Sequence, residues 1–207
     1  RIVYTIAFTN FVMPFMFSGT GVALPAMSRD LAMGGATLGL FETFYLGTVA
    51  ALILPAGRLA DAGDKASFFL LGAVGFTVAT LGLGLSQSVP VLLFARLAQG
   101  VAAALIGATN MAILADTVPR NRLGRAMGLN IGAVYVGLSA GPFAAGLVTT
   151  LLGWRWIYLI SAFLSVAATL LATRGLQRRW RRPELVFDWP GVILSAGGLI
   201  LLIAGSA

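Results

Sequence analysis

The chain has 207 residues, of which 58% are hydrophobic and only 10% carry a charge, and its mean hydropathy is +0.93. Soluble domains contain about 25% charged residues, so this composition argues against a soluble fold and predicts an all-α membrane bundle. The chain contains neither cysteine nor histidine, which excludes disulfides, thiolate nucleophiles and histidine metal ligands from it. We therefore expect no enzyme activity, no catalytic residues, no bound metal and no cofactor.

Apolar stretches of about twenty residues recur along the chain with short polar breaks, which is the pattern of membrane-spanning helices. We place six spans near residues 3–24, 37–57, 66–86, 90–115, 125–150 and 155–173. These assignments divide the chain into an N-terminal six-helix bundle over 1–173, a basic cytoplasmic linker over 174–188 and the start of a further helix over 189–207. The short breaks predict that consecutive helices pack against each other. The first residue is Arg1 and no cleavable leader pattern follows it, so we expect a piece of a longer protein.

Basic residues alternate between the two ends of these spans. Eleven of the 14 lysines and arginines lie at the N-terminus or in the breaks after the second, fourth and sixth spans. Cytoplasmic loops of membrane proteins concentrate lysine and arginine, so we expect a multi-pass protein of the inner (plasma) membrane with a cytoplasmic N-terminus. The net charge of +7 then reports topology, and we expect the lipid bilayer, not nucleic acid, as a partner.

The first span carries a stripe of aromatic residues. Phe8, Phe11 and Phe15 share one helical face because three and then four residues separate them. Aromatic and flexible apolar side chains suit a pocket that accepts varied apolar compounds, and they equally suit contact with lipid. We take Asn10, Phe11 and Phe15 as candidate residues of a substrate cavity.

Glu42 is the one acidic residue that falls inside an apolar span, near the extracellular end of the second span. Burial in apolar surroundings favours the neutral form of a carboxyl group, so a carboxylate there can take up and release a proton near neutral pH. Tyr45 lies one turn along, could donate a hydrogen bond to it, and is a further candidate for the cavity. The alternative is an ordinary, solvated glutamate at the membrane interface.

The stretch "GRLADAGDK", residues 57 to 65, closes the second span. Gly57 permits a tight exit from the helix, and Asp61 and Lys65 place opposite charges in the loop. Asp116 ends the fourth span on the same side of the membrane, so Lys65 or Arg58 can pair with it. Such a cluster can hold helix ends together in one conformation and release them in another. The alternative is an ordinary charged loop.

Arg96 lies inside the apolar sequence of the fourth span. An arginine at the centre of a membrane helix costs roughly 2.5–3.5 kcal/mol on insertion scales, so it must face a wet cavity or a partner. Gln99 and Asn110 share its helical face, and we assign this polar stripe to the substrate cavity. Asn130 of the fifth span joins the cavity set, and Arg96 joins Glu42 as a candidate for proton coupling.

The fifth span contains four residues that weaken a helix, in "GLSAGPFAAG", residues 137 to 146. Proline costs about 3 kcal/mol in a helix interior and leaves a carbonyl without its partner. We expect Pro142 to bend the span, and the glycines at 137, 141 and 146 to let a neighbouring helix lie close to the bend. We assign Gly137, Gly141, Pro142 and Gly146 to a conformational switch. A purely structural kink is the alternative.

These stretches, taken in order, resemble the major facilitator superfamily of transporters. "GRLADAGDK" is similar to its loop motif between helices 2 and 3, and "ARLAQGVAAA" to its helix 4 motif. The glycines and proline around position 141 fit the exporters' helix 5 pattern. "GWRWIYLI", residues 153 to 160, is similar to the drug-exporter motif that opens helix 6, and "FDWPGVILSAGGL", residues 187 to 199, resembles the helix 7 entry of the fourteen-helix drug:proton antiporters.

This resemblance implies the N-terminal six-helix half of a transporter plus the start of a seventh helix, with each half built from two inverted three-helix repeats. It implies proton-coupled efflux of hydrophobic or cationic small molecules such as drugs. The expected partners are then protons, a small hydrophobic substrate and the remaining C-terminal helices of the same transporter. Members of the group often carry an acid in helix 1, where this chain has Met16. The alternatives are export of a metabolite and a non-transporting membrane receptor or anchor.

Overall fold

The structure is a computed structural model that describes residues 2–176. These residues form six α-helices and no strand, with bounds α1 Ile2–Asp30, α2 Gly35–Ala62, α3 Lys65–Leu85, α4 Val89–Thr117, α5 Arg120–Leu151 and α6 Arg155–Gly175. Each helix is long and apolar enough to cross a membrane. The prediction of an all-α, six-helix bundle is therefore confirmed. The predicted linker beyond residue 176 and the seventh helix lie outside the described residues.

Several helix ends differ from the predicted spans: α1 runs to Asp30, six residues past its predicted end at residue 24, and further differences lie on the basic side of the bundle. Helix α2 continues for five residues past Gly57, and its C-terminal cap is Gly63, whose N–H donates to the carbonyl of Leu59. The predicted exit from the helix at Gly57 was therefore wrong. Helix α5 begins at Arg120, directly after Pro119 and five residues before the predicted start. Hydropathy locates the part of a helix that crosses hydrocarbon, and charged turns can continue the same helix beyond it.

The six helices pair in a pattern that repeats when α1, α2 and α3 are exchanged with α4, α5 and α6. Helix α1 packs along α5 as α4 packs along α2, and α3 packs on α4 as α6 packs on α1. The α3–α6 pairing maps onto itself. This pattern agrees with the two three-helix repeats that the family resemblance implied. Consecutive helices make few contacts except for α3 and α4, so the expectation that neighbours in the chain pack together was wrong for most of them.

Small residues bring the paired helices close together. A Cβ added at Gly72 of α3 would lie 2.9 Å from the carbonyl oxygen of Ala102 on α4, and one added at Gly100 of α4 would lie 3.0 Å from the carbonyl oxygen of Tyr45 on α2. Lipid provides no hydrophobic drive for association between membrane helices, so close backbone packing of this kind has to hold them. Helices α2 and α5 are the least covered of the six.

Candidate functional site

The centre of the site is Arg96 on α4, whose side chain is completely buried. Its Nη2 atom lies 3.2 Å from a carboxylate oxygen of Glu42 on α2. The guanidinium carbon also lies 4.4 Å from the ring centre of Phe41 and 4.7 Å from that of Tyr45. Aromatic faces attract cations through their quadrupole. A buried positive charge is thus compensated by one carboxylate and two rings, all three on α2.

A chain of hydrogen bonds extends from Arg96 into the bundle. Arg96 Nη1 donates to Gln99 Oε1 at 2.8 Å, and Gln99 Nε2 donates to Thr80 Oγ1 on α3 at 2.8 Å. The same amide nitrogen lies 2.9 Å from the sulfur of Met16 on α1. The site therefore joins four helices. The ring of Tyr45 packs on Arg96 and stacks on Phe17, and no hydrogen bond joins it to Glu42, so that part of the expectation was wrong.

The side chains of Glu42 and Arg96 differ in how much of their surface is exposed. Glu42 retains 28% of its side-chain exposure, whereas Arg96 retains none. Within residues 2–176, the carboxylate is thus the accessible member of the pair and the guanidinium the enclosed one. The Nε–H of Arg96 has no hydrogen-bond partner among the described residues. A buried cation with one unfilled donor and a single anionic partner responds strongly to neutralisation of that partner.

Three asparagines from three helices form a second polar cluster. Asn110 of α4 donates to Asn10 of α1 at 2.8 Å, and Asn10 donates to Asn130 of α5 at 3.1 Å. Asn130 in turn donates to the backbone carbonyl of Ala126. Asn10 and Asn130 are buried, while Asn110 is half-buried. In this conformation the cluster ties α1, α4 and α5 together, and Asn110 is the member with a partly accessible amide.

The predicted aromatic stripe is continuous. The rings of Phe8 and Phe11 are stacked with centres 6.3 Å apart, and those of Phe11 and Phe15 are 5.5 Å apart. All three are half-buried. They offer an apolar surface along α1, whereas the buried amide of Gln99 is fully engaged in hydrogen bonds. The predicted cavity residues thus divide into accessible apolar groups and buried polar groups that cross-link helices.

The glycines of α5 form a close seam with α1, and they differ in how near the backbone of α1 lies to each of them. A Cβ added at Gly137 would collide with the carbonyl oxygen of Phe11, and one at Gly141 would collide with the carbonyl oxygen of Phe15. Nothing lies within 4 Å of a Cβ added at Gly146. Helix α5 continues as an α-helix through Pro142. The close backbone contacts of the seam therefore lie at the first two glycines, whereas a side chain at Gly146 would meet open space.

The charged cluster at the ends of α2, α3 and α4 has the predicted partners. Lys65 Nζ lies 2.7 Å from Asp116 and 3.4 Å from Asp61. Asp64 is the N-cap of α3 and accepts hydrogen bonds from the N–H of Ala66 and the hydroxyl of Ser67. Lys65, rather than Arg58, makes the link to α4. Gly57 packs loosely, with its added Cβ 3.9 Å from Ala108.

A cluster of side-chain interactions that was not predicted from the sequence joins the opposite ends of the helices. Arg155, the first residue of α6, donates to Asp30 of α1 at 2.6 Å and to the carbonyl oxygen of Ser86 at 3.1 Å. Trp154 Nε1 also donates to Asp30, at 3.1 Å. The guanidinium lies over the Trp154 ring at 4.3 Å. The motif around Arg155 was visible in the sequence, but its partner lies 125 residues away in the chain.

Comparison with known proteins places this arrangement in a family. The chain is 35% identical over 185 residues to the puromycin resistance protein pur8 of Streptomyces alboniger. The matched region covers 88% of this chain and 36% of that protein. It is 31% identical over 185 residues to the tetracenomycin C resistance and export protein of Streptomyces glaucescens, covering 89% of this chain and 34% of that protein. The chain spans about a third of the length of these curated relatives.

The fold has a counterpart among solved structures. The crystal structure of the peptide transporter POT in complex with sulfate superposes with a TM-score of 0.80 at 14% identity, covering 100% of this chain and 46% of that chain. At that identity the likeness concerns the fold alone. A family model described as Major Facilitator Superfamily matches residues 6–187, and the six membrane-crossing helices are those of a multi-pass membrane protein. The chain belongs to the Major Facilitator Superfamily.

Proposed function

We propose that this chain is the N-terminal half of a proton-coupled exporter of hydrophobic or cationic small molecules. Two of its relatives are named for resistance to antibiotics, and one of them also for export. The observation that carries the proposal is the pair formed by the buried Arg96 and the part-exposed Glu42. A receptor or membrane anchor has no need of a buried arginine, because placing one in a membrane helix costs free energy.

The pair supplies a physical route for coupling. When Glu42 takes up a proton, Arg96 loses its single anionic partner among residues 2–176. Leaving one member of a buried ion pair without its partner typically costs about 3–5 kcal/mol, and the partial exposure of Glu42 places this case at the lower end of that range. The conformation in which Arg96 regains water or an anion becomes favoured. Protonation of one carboxyl group thus shifts the balance between two conformations of the bundle.

Movement between the conformations uses the seam and the charged cluster. The backbones of α1 and α5 touch at Gly137 and Gly141, so the two helices can rock without opening a leak between them. The Lys65–Asp116 pair holds α3 to α4 at one membrane surface. It is weak enough to break, since exposed ion pairs contribute about 0–1 kcal/mol. A much stronger ion pair at this position would instead hold the protein in one conformation.

Substrate recognition follows from the accessible groups. The stacked rings on α1 provide an apolar surface, and the half-buried Asn110 provides a hydrogen-bonding group elsewhere in the bundle. A site of this chemistry accepts apolar compounds of varied shape. The remaining C-terminal helices complete the cavity by covering α2 and α5, which are the least covered of the six. The basic loops support an orientation with the N-terminus in the cytoplasm.

The test is transport by the intact transporter in proteoliposomes with an imposed pH gradient. Glu42→Gln keeps the size and hydrogen bonding of the side chain but cannot titrate. It should abolish gradient-driven uptake of an apolar cationic dye while leaving dye binding within about twofold of the parental value. Glu42→Asp retains a titratable group and serves as the matched control, with partial activity. Gradient-driven uptake by Glu42→Gln at the parental rate, with an unchanged pH profile, would refute the role of this residue.

A further inference from the structure

A cavity of about 620 Å³ opens beside the N-terminal end of α1, away from the Arg96 site. Its walls come from α1, the α4–α5 connection and the first turns of α5. Ile2, Val3 and Leu129 give it apolar walls, and Arg122 and Arg125 give it two positive charges. The volume falls within the range of about 300–1,000 Å³ that is typical of small-ligand sites. It is amphipathic, with charge and apolar surface in one concavity.

The two arginines have no counter-charge in the described part of the chain. Every acid between residues 2 and 176 is already engaged: Asp30 with Arg155, Glu42 with Arg96, Asp61 and Asp116 with Lys65, and Asp64 as the cap of α3. Arg122 and Arg125 are exposed and form no salt bridge with any of them. The cavity therefore presents two uncompensated cations, which favour an anionic occupant.

The position of the cavity along α5 indicates its depth in the membrane. Helix α5 has 32 residues, which corresponds to about 48 Å at 1.5 Å per residue. The hydrocarbon core of a bilayer is only about 30 Å thick. The first turns of α5, which carry Arg122 and Arg125, therefore extend to the level of the lipid headgroups. Leu129 lies about two turns past Arg122 and one turn past Arg125, towards the acyl chains. The exposed Tyr4 on the opposite wall suits the same interface, where tyrosine is enriched.

We propose that this cavity binds an anionic phospholipid of the cytoplasmic leaflet, with its headgroup phosphate on Arg122 and Arg125 and an acyl chain along Val3 and Leu129. The assignment of the leaflet depends on the orientation proposed above. The competing occupant within the same chain is residues 177–188, which carry four arginines and two acids. Their excess of positive charge opposes a place beside two further arginines. A bound lipid would fix α1 relative to α5 at the end of the seam along which they touch.

The experiment measures lipid affinity, so it is independent of transport. The intact transporter in detergent is titrated with short-chain phosphatidylglycerol or phosphatidylcholine, and bound lipid is quantified by native mass spectrometry. The parental protein should bind phosphatidylglycerol saturably and more tightly than phosphatidylcholine. The double variant Arg122→Gln/Arg125→Gln should bind phosphatidylglycerol about 30-fold more weakly, which is the contribution of two arginines near an anionic surface. Arg120→Gln is the matched control, because Arg120 is exposed on the same helix end but does not line the cavity.

A second variant separates this site from general attraction to a basic surface. Leu129→Trp retains both arginines and fills the cavity, so it should also lose the tight phosphatidylglycerol binding. Unchanged affinity in the double variant, or in Leu129→Trp, would overturn the proposal. An equal loss in Arg120→Gln would overturn it as well, by showing that only overall charge matters. If the parental protein binds no phosphatidylglycerol saturably and the double variant exposes residues 177–188 to protease, the linker occupies the cavity instead.

Discussion

The seam between α1 and α5 allows a test in which two neighbouring glycines of one motif should behave oppositely. Gly141→Ala places a methyl group against the carbonyl oxygen of Phe15 and 3.0 Å from the N–H nitrogen of Gly19. Both atoms belong to the backbone and cannot rotate away. Gly146→Ala lies five residues further along the same helix, and it places its methyl group where nothing lies within 4 Å.

The magnitude follows from comparing the two substitutions. Replacing glycine by alanine in a helix interior gains about 1 kcal/mol of intrinsic helix stability, and both variants receive this gain. Their difference therefore isolates the cost of overpacking, which is about 1–3 kcal/mol for an added methyl group in a tight interior. Gly141→Ala should be less stable than Gly146→Ala by this amount. Gly146→Ala should equal or slightly exceed the parental protein.

The assay is thermal unfolding of the intact transporter in detergent, followed by intrinsic tryptophan fluorescence, with transport measured in parallel. Gly141→Ala should unfold at a lower Tm than Gly146→Ala and export more slowly. Gly137→Ala provides a second test, because its methyl group would collide with the carbonyl oxygen of Phe11. Equal Tm values for Gly141→Ala and Gly146→Ala would refute the close backbone seam, and parental export by Gly141→Ala would refute its part in the movement.

Three further predictions concern the membrane surfaces. In whole cells, a cysteine at Asn121 should resist an impermeant thiol reagent while one at Gln87 should react, and the reverse pattern would overturn the orientation. Lys65→Gln breaks the 2.7 Å pair with Asp116 and should change the free energy of unfolding by less than about 1 kcal/mol. It should nevertheless shift the ratio of the two conformations measured by site-specific cross-linking, and an unchanged ratio would leave the pair without a switching role. Arg155→Gln, which detaches α6 from α1 and α3, should lower the free energy of unfolding by about 1 kcal/mol and leave proton coupling intact, and a loss of coupling would contradict its purely structural role.

The six helices could be predicted from the sequence because a membrane imposes length and hydropathy on each one separately. Their ends could not, since the polar turns beyond the hydrocarbon still satisfy their own backbone hydrogen bonds, as α2 does between Gly57 and Ala62. Their pairing was also hidden. Helix α1 packs on α5 through backbone contacts with Gly137 and Gly141, and no periodicity in either helix names the other as its partner.

The candidate site shows the same division. Arg96 and Glu42 could be found because charge inside an apolar span is costly, so each stands out against its own neighbours. Their 3.2 Å contact and the onward hydrogen bonds to Thr80 and Met16 depend on how four helices pack. The difference between Gly141 and Gly146 likewise depends on which face of α5 meets α1. A motif identifies residue types, whereas the partner across the interface decides what each residue does.

The most direct test of the proposed coupling is proton release when a substrate binds to the purified intact transporter. The protein is held in weakly buffered detergent solution with a pH indicator, and an apolar cationic compound is added at values from pH 6 to pH 8. If Glu42 exchanges its proton for substrate, the parental protein should release protons in proportion to the substrate bound. Glu42→Gln should bind the same compound and release none. Proton release by Glu42→Gln equal to that of the parental protein would contradict the account and assign the coupling proton to another residue.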